Sequence, residues 1–230
     1  MKKTREKKTL LDETRQLLKE SQISRKKYWI RILGKRFVTY PNVFSPKFFN
    51  STEFFSKEIP INKGEKFLEM GSGSGVISVF ALIKGASSVL SIDINSSAVK
   101  NTKENLKFHG FRNKSKVYNG DLFSPIKNNE KFDTIFWAMP FGFINENNLG
   151  NLEESVFDPN YKSIRKFIKD SKIHLKRSGK LLIGFSTTLG HYGLLEKILK
   201  DNGFRFKIIK EHLIKEKRIV KFQIIKAFLE

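Results

Sequence analysis

The sequence predicts a doubly wound α/β fold with a seven-stranded, mostly parallel sheet, and three observations predict it. From residue 66 onward, short β-rich runs alternate with helical patterns. A glycine-rich turn, Gly71-Ser72-Gly73-Ser74-Gly75, joins the first of these runs to the first helical one. Near the C-terminus, two long β-rich runs flank Lys215-Glu216-Lys217-Arg218 with no room for a crossover helix, so they should pair antiparallel at one edge. Strands separated by helices are covered on both faces, which is why most of them read as continuous apolar runs.

Taken in order, the elements begin with an amphipathic helix over residues 7–22, where Leu10, Leu11, Leu17, Leu18 and Ile23 are spaced among charges. Gly34-Lys35 between Tyr28–Leu33 and Arg36–Tyr40 reads as a hairpin. Pro41-Asn42 and Ser45-Pro46 close this part, and Phe48–Lys57 reads as a helix leading into the core. Residues 1–46 are thus expected to form a basic N-terminal extension or lid, and residues 47–230 the main domain. Strands are predicted at Lys66–Met70, Ser88–Ile94, Lys116–Asn119, Phe132–Trp137, Lys180–Phe185, Phe204–Ile209 and Ile219–Phe228. Helices are predicted at Val76–Lys84, Ser97–Phe108, Tyr161–Leu175 and Leu194–Asp201.

Composition narrows the function classes. A chain of 230 residues can bury one sizeable core, and no stretch approaches the roughly 20 apolar residues of a membrane span. The basic N-terminus leads into no apolar signal core, and there is no cysteine, so the expectation is a cytoplasmic protein without disulfides or thiolate metal sites. No His/Asp/Glu cluster has metal-ligand spacing. Of the net charge of +21, residues 1–36 supply +9 (thirteen Lys/Arg against four Asp/Glu) and residues 205–226 supply +6 (eight against two). Such a field would attract nucleic acid, ribosomes or anionic small molecules. Lysine far outnumbers the arginine suited to bidentate phosphate recognition, so codon bias is the competing source of the charge.

The chemistry-bearing residues fall at successive strand ends. Glu69 closes the first strand and precedes glycines at 71, 73 and 75, a turn that brings backbone N–H groups and a helix N-terminus toward a nucleotide-like ligand. Asp93, 22 positions after Gly71, ends the second strand in Ser91-Ile92-Asp93-Ile94-Asn95, where a carboxylate can accept both hydroxyls of a ribose; capping the next helix is its structural alternative. Asn119-Gly120-Asp121-Leu122-Phe123 ends the third strand, and Ala138-Met139-Pro140-Phe141-Gly142 follows the fourth.

Glu69-x-Gly71-x-Gly73-x-Gly75 resembles motif I of the class I S-adenosylmethionine-dependent methyltransferases, and the resemblance extends over residues 60–230. It implies a Rossmann-like sheet with strand order 3-2-1-4-5-7-6 and the last strand antiparallel. It also implies S-adenosylmethionine as cofactor, held by Glu69, Gly71, Gly73, Gly75, Asp93, Ile94, Asp121 and Leu122. In such enzymes Glu69 would meet the methionine ammonium group, Asp93 the ribose, and Asp121 with Leu122 the adenine. The fourth segment is similar to the Asn-Pro-Pro-Tyr/Phe motif of the release-factor glutamine and adenine-N6 enzymes, including the small-domain group. There, the Asn side chain and a proline carbonyl hold the target nitrogen.

Only Pro140 and Phe141 match that motif; Ala138 replaces the Asn and Met139 the first proline, which leaves the backbone carbonyls of Ala138 and Met139 as acceptors. Losing the side-chain acceptor costs roughly 1–3 kcal/mol at a buried site. The altered motif favours a small molecule, carboxylate or other nitrogen as methyl acceptor. The basic ends favour a protein, ribosome or RNA acceptor, and Ala138 alone favours a cofactor-binding protein without turnover. Residues 141–161 form a long connection whose Glu153, Glu154, Phe157, Asp158 and Tyr161 are candidates to line a substrate pocket, with helix capping the preferred role of Asp158. His191 is a candidate base but more simply a bystander, and His109 reads as structural. Oligomeric state is not legible.

Overall fold

The computed structural model describes residues 2–22, 24–146, 148–150, 152–215 and 219–229. Ile23 and Glu216-Lys217-Arg218 of the last connection lie outside the described residues. The N-terminal part holds helix α1 (Lys2–Ser21), strands β1 (Tyr28–Ile32) and β2 (Lys35–Thr39), and helix α2 (Ser51–Glu58). Then come β3 (Lys66–Met70), α3 (Val76–Ile83), β4 (Ser88–Asp93), α4 (Ser96–Phe108), β5 (Ser115–Asn119) and β6 (Phe132–Ala138). The rest comprises β7 (Gly142–Ile144), β8 (Phe157–Pro159), α5 (Lys162–His174), β9 (Leu175–Ser186), α6 (Tyr192–Asp201), β10 (Phe204–Lys215) and β11 (Ile219–Leu229).

The main sheet has the order β10-β11-β9-β6-β3-β4-β5. Strands β3, β4, β5, β6 and β9 run parallel, while β11 is antiparallel to both its neighbours, which is the expected architecture. Two-residue periodicity on the central strands feeds two core layers. Phe67, Phe136 and Leu182 point to a layer shared with α2, α3 and α4, whereas Leu68, Ile135 and Leu181 point to one shared with α5 and α6. Ile30, Ile32 and Phe37 of the hairpin join the first layer, so the hairpin packs on the same core as the sheet.

Four local expectations are adjusted. The hairpin turn is Leu33-Gly34, with φ of 45° and 76°, and not Gly34-Lys35; positive φ at both turn residues matches the right-handed twist of the flanking strands. Strand β9 starts directly at the end of α5, and β10 runs on to Lys215 because it pairs with β11 along its whole length. The connection after β6 is not wholly irregular: β7 and β8 form a parallel pair. Strands of three residues are too short to leave a periodic signal. They meet because Gly142 has no side chain, since a Cβ there would lie 2.5 Å from the ring of Phe157.

Helix α3 sits equally tightly against α4. Gly75, its N-cap, has φ of 75°, and a Cβ would lie 2.8 Å from Thr102 Cγ2 and 2.9 Å from Thr102 Cα. Backbone strain and overpacking act together, so Gly75→Ala should lower unfolding stability by about 2–4 kcal/mol. A urea midpoint equal to that of the parent chain would contradict this.

Candidate active site

Strands β3 and β6 are adjacent in the sheet, yet the chain leaves β3 toward β4 and leaves β6 toward β9, on opposite sides. A crevice opens at the carboxyl ends of such a strand pair. Here it is a cavity of about 850 Å³, which reaches from the glycine turn to Pro140-Phe141.

The turn itself forms one wall. The Gly71 and Ser72 amides donate to the Ile92 carbonyl at 2.8 and 3.2 Å, which holds the turn against the end of β4. Gly71 has φ of 62°, and a Cβ there would lie 2.9 Å from Trp137 Nε1, so only glycine fits between the turn and β6. Gly73 also faces the cavity, whereas Gly75 does not line it and serves the α3–α4 contact instead.

Two buried carboxylates face this wall. Asp93 accepts from the Gly73 amide at 2.8 Å through one oxygen and from the Asn95 amide at 2.9 Å through the other. Capping of α4 falls to Asn95, whose side chain accepts from the Ser97 amide at 2.9 Å, which leaves Asp93 to the cavity side of the strand. Burial raises the Asp93 carboxyl above its ordinary range, against the two amide bonds. Glu69 is 2 % exposed and accepts from the Ser78 hydroxyl, which lies 2.7 Å from that of Ser91. Burial pushes the Glu69 carboxyl up to about 8, and the Ser78 bonds only partly offset it.

At the next strand end, Gly120, Asp121 and Leu122 line the cavity beside exposed Ile94. The Asp121 carboxylate is paired with Lys166 at 2.9 Å on the surface. Leu122 is buried with φ of 48°, a conformation uncommon for a leucine.

Ala138, Met139, Pro140 and Phe141 form the far wall. The Phe141 ring packs edge-on against Phe185 and Phe222, and its carbonyl accepts from the Tyr161 hydroxyl at 2.7 Å. That hydroxyl also accepts from the His191 amide at 2.7 Å. Tyr161 is therefore a wholly buried strut behind the wall and does not line the cavity. Burial raises its phenol well above the ordinary value. His191 is an exposed N-cap whose Nδ1 accepts from the Leu194 amide at 3.1 Å, outside the cavity and unsuited to act there as a base. His109, as expected, is structural: its ring packs on Phe37 and its Nε2 lies 2.9 Å from the Arg36 carbonyl. Asp158 caps α5, accepting from the amides of Ser163 and Ile164 at 3.1 and 2.8 Å, while also lining the cavity with Glu154 and Phe157.

Helix α1 roofs the cavity. Leu10, Glu13, Thr14 and Leu17 share one helical face and all line it. Leu18 packs with Ile144, Val156 and Phe157 of the β7–β8 region. Arg15 reaches Glu146 and Glu153, the latter at 3.2 Å, and its guanidinium lies 5.2 Å from the centre of the Phe157 ring. These roof residues, Ser78 and Trp137 were not singled out from sequence. The helical periodicity of α1 was visible, but which partner its face covers depends on the tertiary fold. Among the described residues, no group of three or more His, Asp or Glu could hold a metal ion. No described helix is long and apolar enough to cross a membrane.

The family model of the methyltransferase small domain matches residues 34–210, most of the chain, including the glycine turn, Asp93, Asp121 and the Pro140-Phe141 wall but not the α1 roof. The chain belongs to the methyltransferase small-domain family. A provisionally named protein N5-glutamine methyltransferase of Methanocaldococcus jannaschii is 29% identical over 78% of this chain and 89% of that protein. The release factor glutamine methyltransferase of Aquifex aeolicus is 33% identical over 67% of this chain, which spans only 57% of that protein. In fold, the chain superposes with a TM-score of 0.62 on a T. thermophilus 16S rRNA methyltransferase in complex with AdoMet and guanosine. The two are 18% identical, and the match covers 89% of this chain and 50% of that one.

This small-domain methyltransferase is an enzyme whose cofactor is S-adenosylmethionine, and the cavity fits that group. It offers a turn with glycine at 71 and 73, a buried carboxylate at the end of each of two adjacent strands, and room for a second reactant beside the cofactor.

Glu69 makes the stability of this small-domain enzyme pH-dependent. Between its ordinary value of 4.5 and about 8, the folded chain keeps a proton that the unfolded chain has released, so stability falls as pH rises across that window. The Glu69→Gln variant should lose this slope and gain on the order of a few kcal/mol relative to the parent at pH 8. Denaturation at several pH values measures it; parallel curves for the two proteins would refute it.

Proposed function

We propose that this enzyme methylates a planar group on a component of the translation machinery, protein or RNA, presented over Pro140 and Phe141. The observation that carries the reading is one cavity joining the glycine turn and Asp93 to Pro140-Phe141. Relatives are named for action on glutamine in proteins, on ribosomal protein L11 or on small-subunit ribosomal RNA, and a net charge of +21 favours a polyanionic target or ribosomal surroundings.

In this reading Asp93 accepts from the ribose hydroxyls and Glu69, ionised on binding, faces the ammonium group. Gly71 and Gly73 let the backbone approach closely, while Ile94, Leu122 and the backbone beside Asp121 hold the adenine. Gly75 contributes only indirectly, by seating α3. S-adenosylmethionine supplies an electrophilic methyl group; the chain supplies alignment, exclusion of water and hydrogen-bond acceptors for the target. The Phe141 carbonyl is occupied by Tyr161, so in this reading the target bonds to backbone carbonyls earlier in the wall, those of Ala138 and Met139. The Phe141 ring would pack against the target. Residues 1–46 act as a lid, α1 shifting when a macromolecule enters, and its exposed Arg15–Glu146 contact is of the kind that costs little to break. The expected compartment is the cytoplasm.

A second reading, a small apolar acceptor, draws on the roof and on the apolar far side, where Phe44, Phe48, Phe49, Phe55, Phe157 and Leu17 face the cavity. Calorimetry should detect S-adenosylmethionine binding, weakened about tenfold to a hundredfold in Asp93→Ala. Failure of the folded parent chain to bind would sink both readings. Incubation with labelled cofactor and fractionated cell extract separates them: label in ribosomes, translation factors or RNA supports the first, and label confined to small metabolites supports the second. Ala138→Asn should raise turnover on an amide or amino nitrogen if that is the native target.

A further inference from the structure

We infer that the β1–β2 hairpin and the C-terminal end of α4 form a docking surface for single-stranded nucleic acid, separate from the cavity. Trp29 is 47% exposed and Phe108 53% exposed, and their rings lie 5.0 Å apart. The Arg36 guanidinium lies over the Trp29 ring, 4.7 Å from its centre. The sheet register sets Arg31 opposite Arg36 on the outer face, while Ile30, Ile32 and Phe37 fill the core. The hairpin is therefore anchored by its inner face, while Trp29, opposite the buried Val38, leaves about half of its surface open to solvent.

The platform is rigid. Asn105 accepts from the Val38 amide at 2.9 Å and donates to the Val38 carbonyl at 2.8 Å, which binds β2 to α4. His109 meets the Arg36 carbonyl at 2.9 Å, so the strand that carries the guanidinium is fixed to the helix end that carries Phe108.

Charge identifies the occupant. Residues 24–40 and 100–116, which build this flank, contain twelve Lys/Arg and one acidic residue, Glu104. Glu104 is already paired with Lys27 at 2.8 Å and bonded to Tyr40. A cationic field attracts any polyanion, but a guanidinium stacked on an indole beside a phenyl ring offers planar faces that an unpaired base can extend. Acidic protein segments have no counterpart for that stack, and duplex bases are already stacked on each other. Asn95, the N-cap of α4, lines the cavity, and the thirteen residues of α4 put the platform roughly 20 Å away. The platform is thus a place to hold a strand, and not the acceptor pocket. The binding needs neither the cofactor nor an RNA methyl acceptor, so it can be tested whatever the acceptor proves to be.

Anisotropy of a labelled single-stranded oligouridylate, titrated with the full chain, measures the interaction. The Trp29→Ala/Phe108→Ala double variant should bind at least about tenfold more weakly, as expected for the loss of base stacking. Neutralising Arg36 and Lys107 to Gln should flatten the slope of log affinity against log salt by about 1.4. Quenching of the exposed indole by the oligonucleotide is a second expected signal. Thermal midpoints close to that of the parent would confirm that both variants fold; if the aromatic variant does not, the salt slope of the Gln variant decides. Parent-like affinity of the folded aromatic variant, an unchanged salt slope in the Gln variant, or equally tight binding of polyglutamate would overturn the proposal.

Discussion

Two parallel strands, β3 and β6, lie side by side, and the chain departs from them in opposite directions. No covalent connection can cover the gap at their carboxyl ends, so a crevice is forced on the molecule. At the edge of the crevice the turn must have glycine at position 71, because Trp137 of β6 already occupies the space a Cβ there would need. Gly75 makes the same bargain one turn later against Thr102 of α4. The donor half of the site thus follows from close approach of backbones, and the chemistry of the cavity is built around that constraint.

Within the crevice, the acids that matter are the ones removed from water. Asp93 is held by two backbone amides and Glu69 by a serine hydroxyl, and neither has a cationic side chain as its hydrogen-bond partner. Burial raises both carboxyls, which leaves them poised for a ligand that brings positive charge or hydroxyl donors. Asp121 is the contrast: exposed and paired with Lys166, it contributes to the cavity rim more through its place in the chain than through its charge. The large cationic excess lies elsewhere, on the flank of the hairpin and α4 and toward the C-terminal edge. Most of the positive charge is therefore separated in space from the two buried carboxylates of the cavity.

At the far wall, Ala138, Met139, Pro140 and Phe141 bring no polar side chain to the cavity. Ala138 offers no hydrogen-bond acceptor of its own, but the segment that carries it is fixed from behind by Tyr161, whose hydroxyl joins the Phe141 carbonyl to the His191 amide. One buried phenol thus ties together the turn after β6, the start of α5 and the start of α6. The roof is fastened to the same region, since Leu18 and Arg15 of α1 both contact Phe157 of β8. Roof, wall and strut thus meet at the β7–β8 region.

Much of this was legible in the residues. Alternation of strand and helix patterns, the glycine turn, and carboxylates at successive strand ends were sufficient for the sheet, its antiparallel edge and the approximate position of the donor site, because each is a local signal with a fixed period or spacing. Asp158 could be read as a cap because a cap needs only its neighbours. Other features depend on residues far apart in the chain. Leu10, Glu13, Thr14 and Leu17 were visible as part of an amphipathic helix, but only the tertiary structure decided that this face roofs the cavity. Tyr161 looked like a pocket residue and proved to be a strut, since its role is set by Phe141 and His191, 20 and 30 positions away. Gly75 looked like part of the ligand turn and serves helix packing, because its neighbour is Thr102. The sequence by itself determined where β3, β4, β5 and β6 end, to within a residue, and which carboxylates stand there. Which of those groups meet across the crevice, and what covers them, was decided by long-range packing that no local pattern encodes.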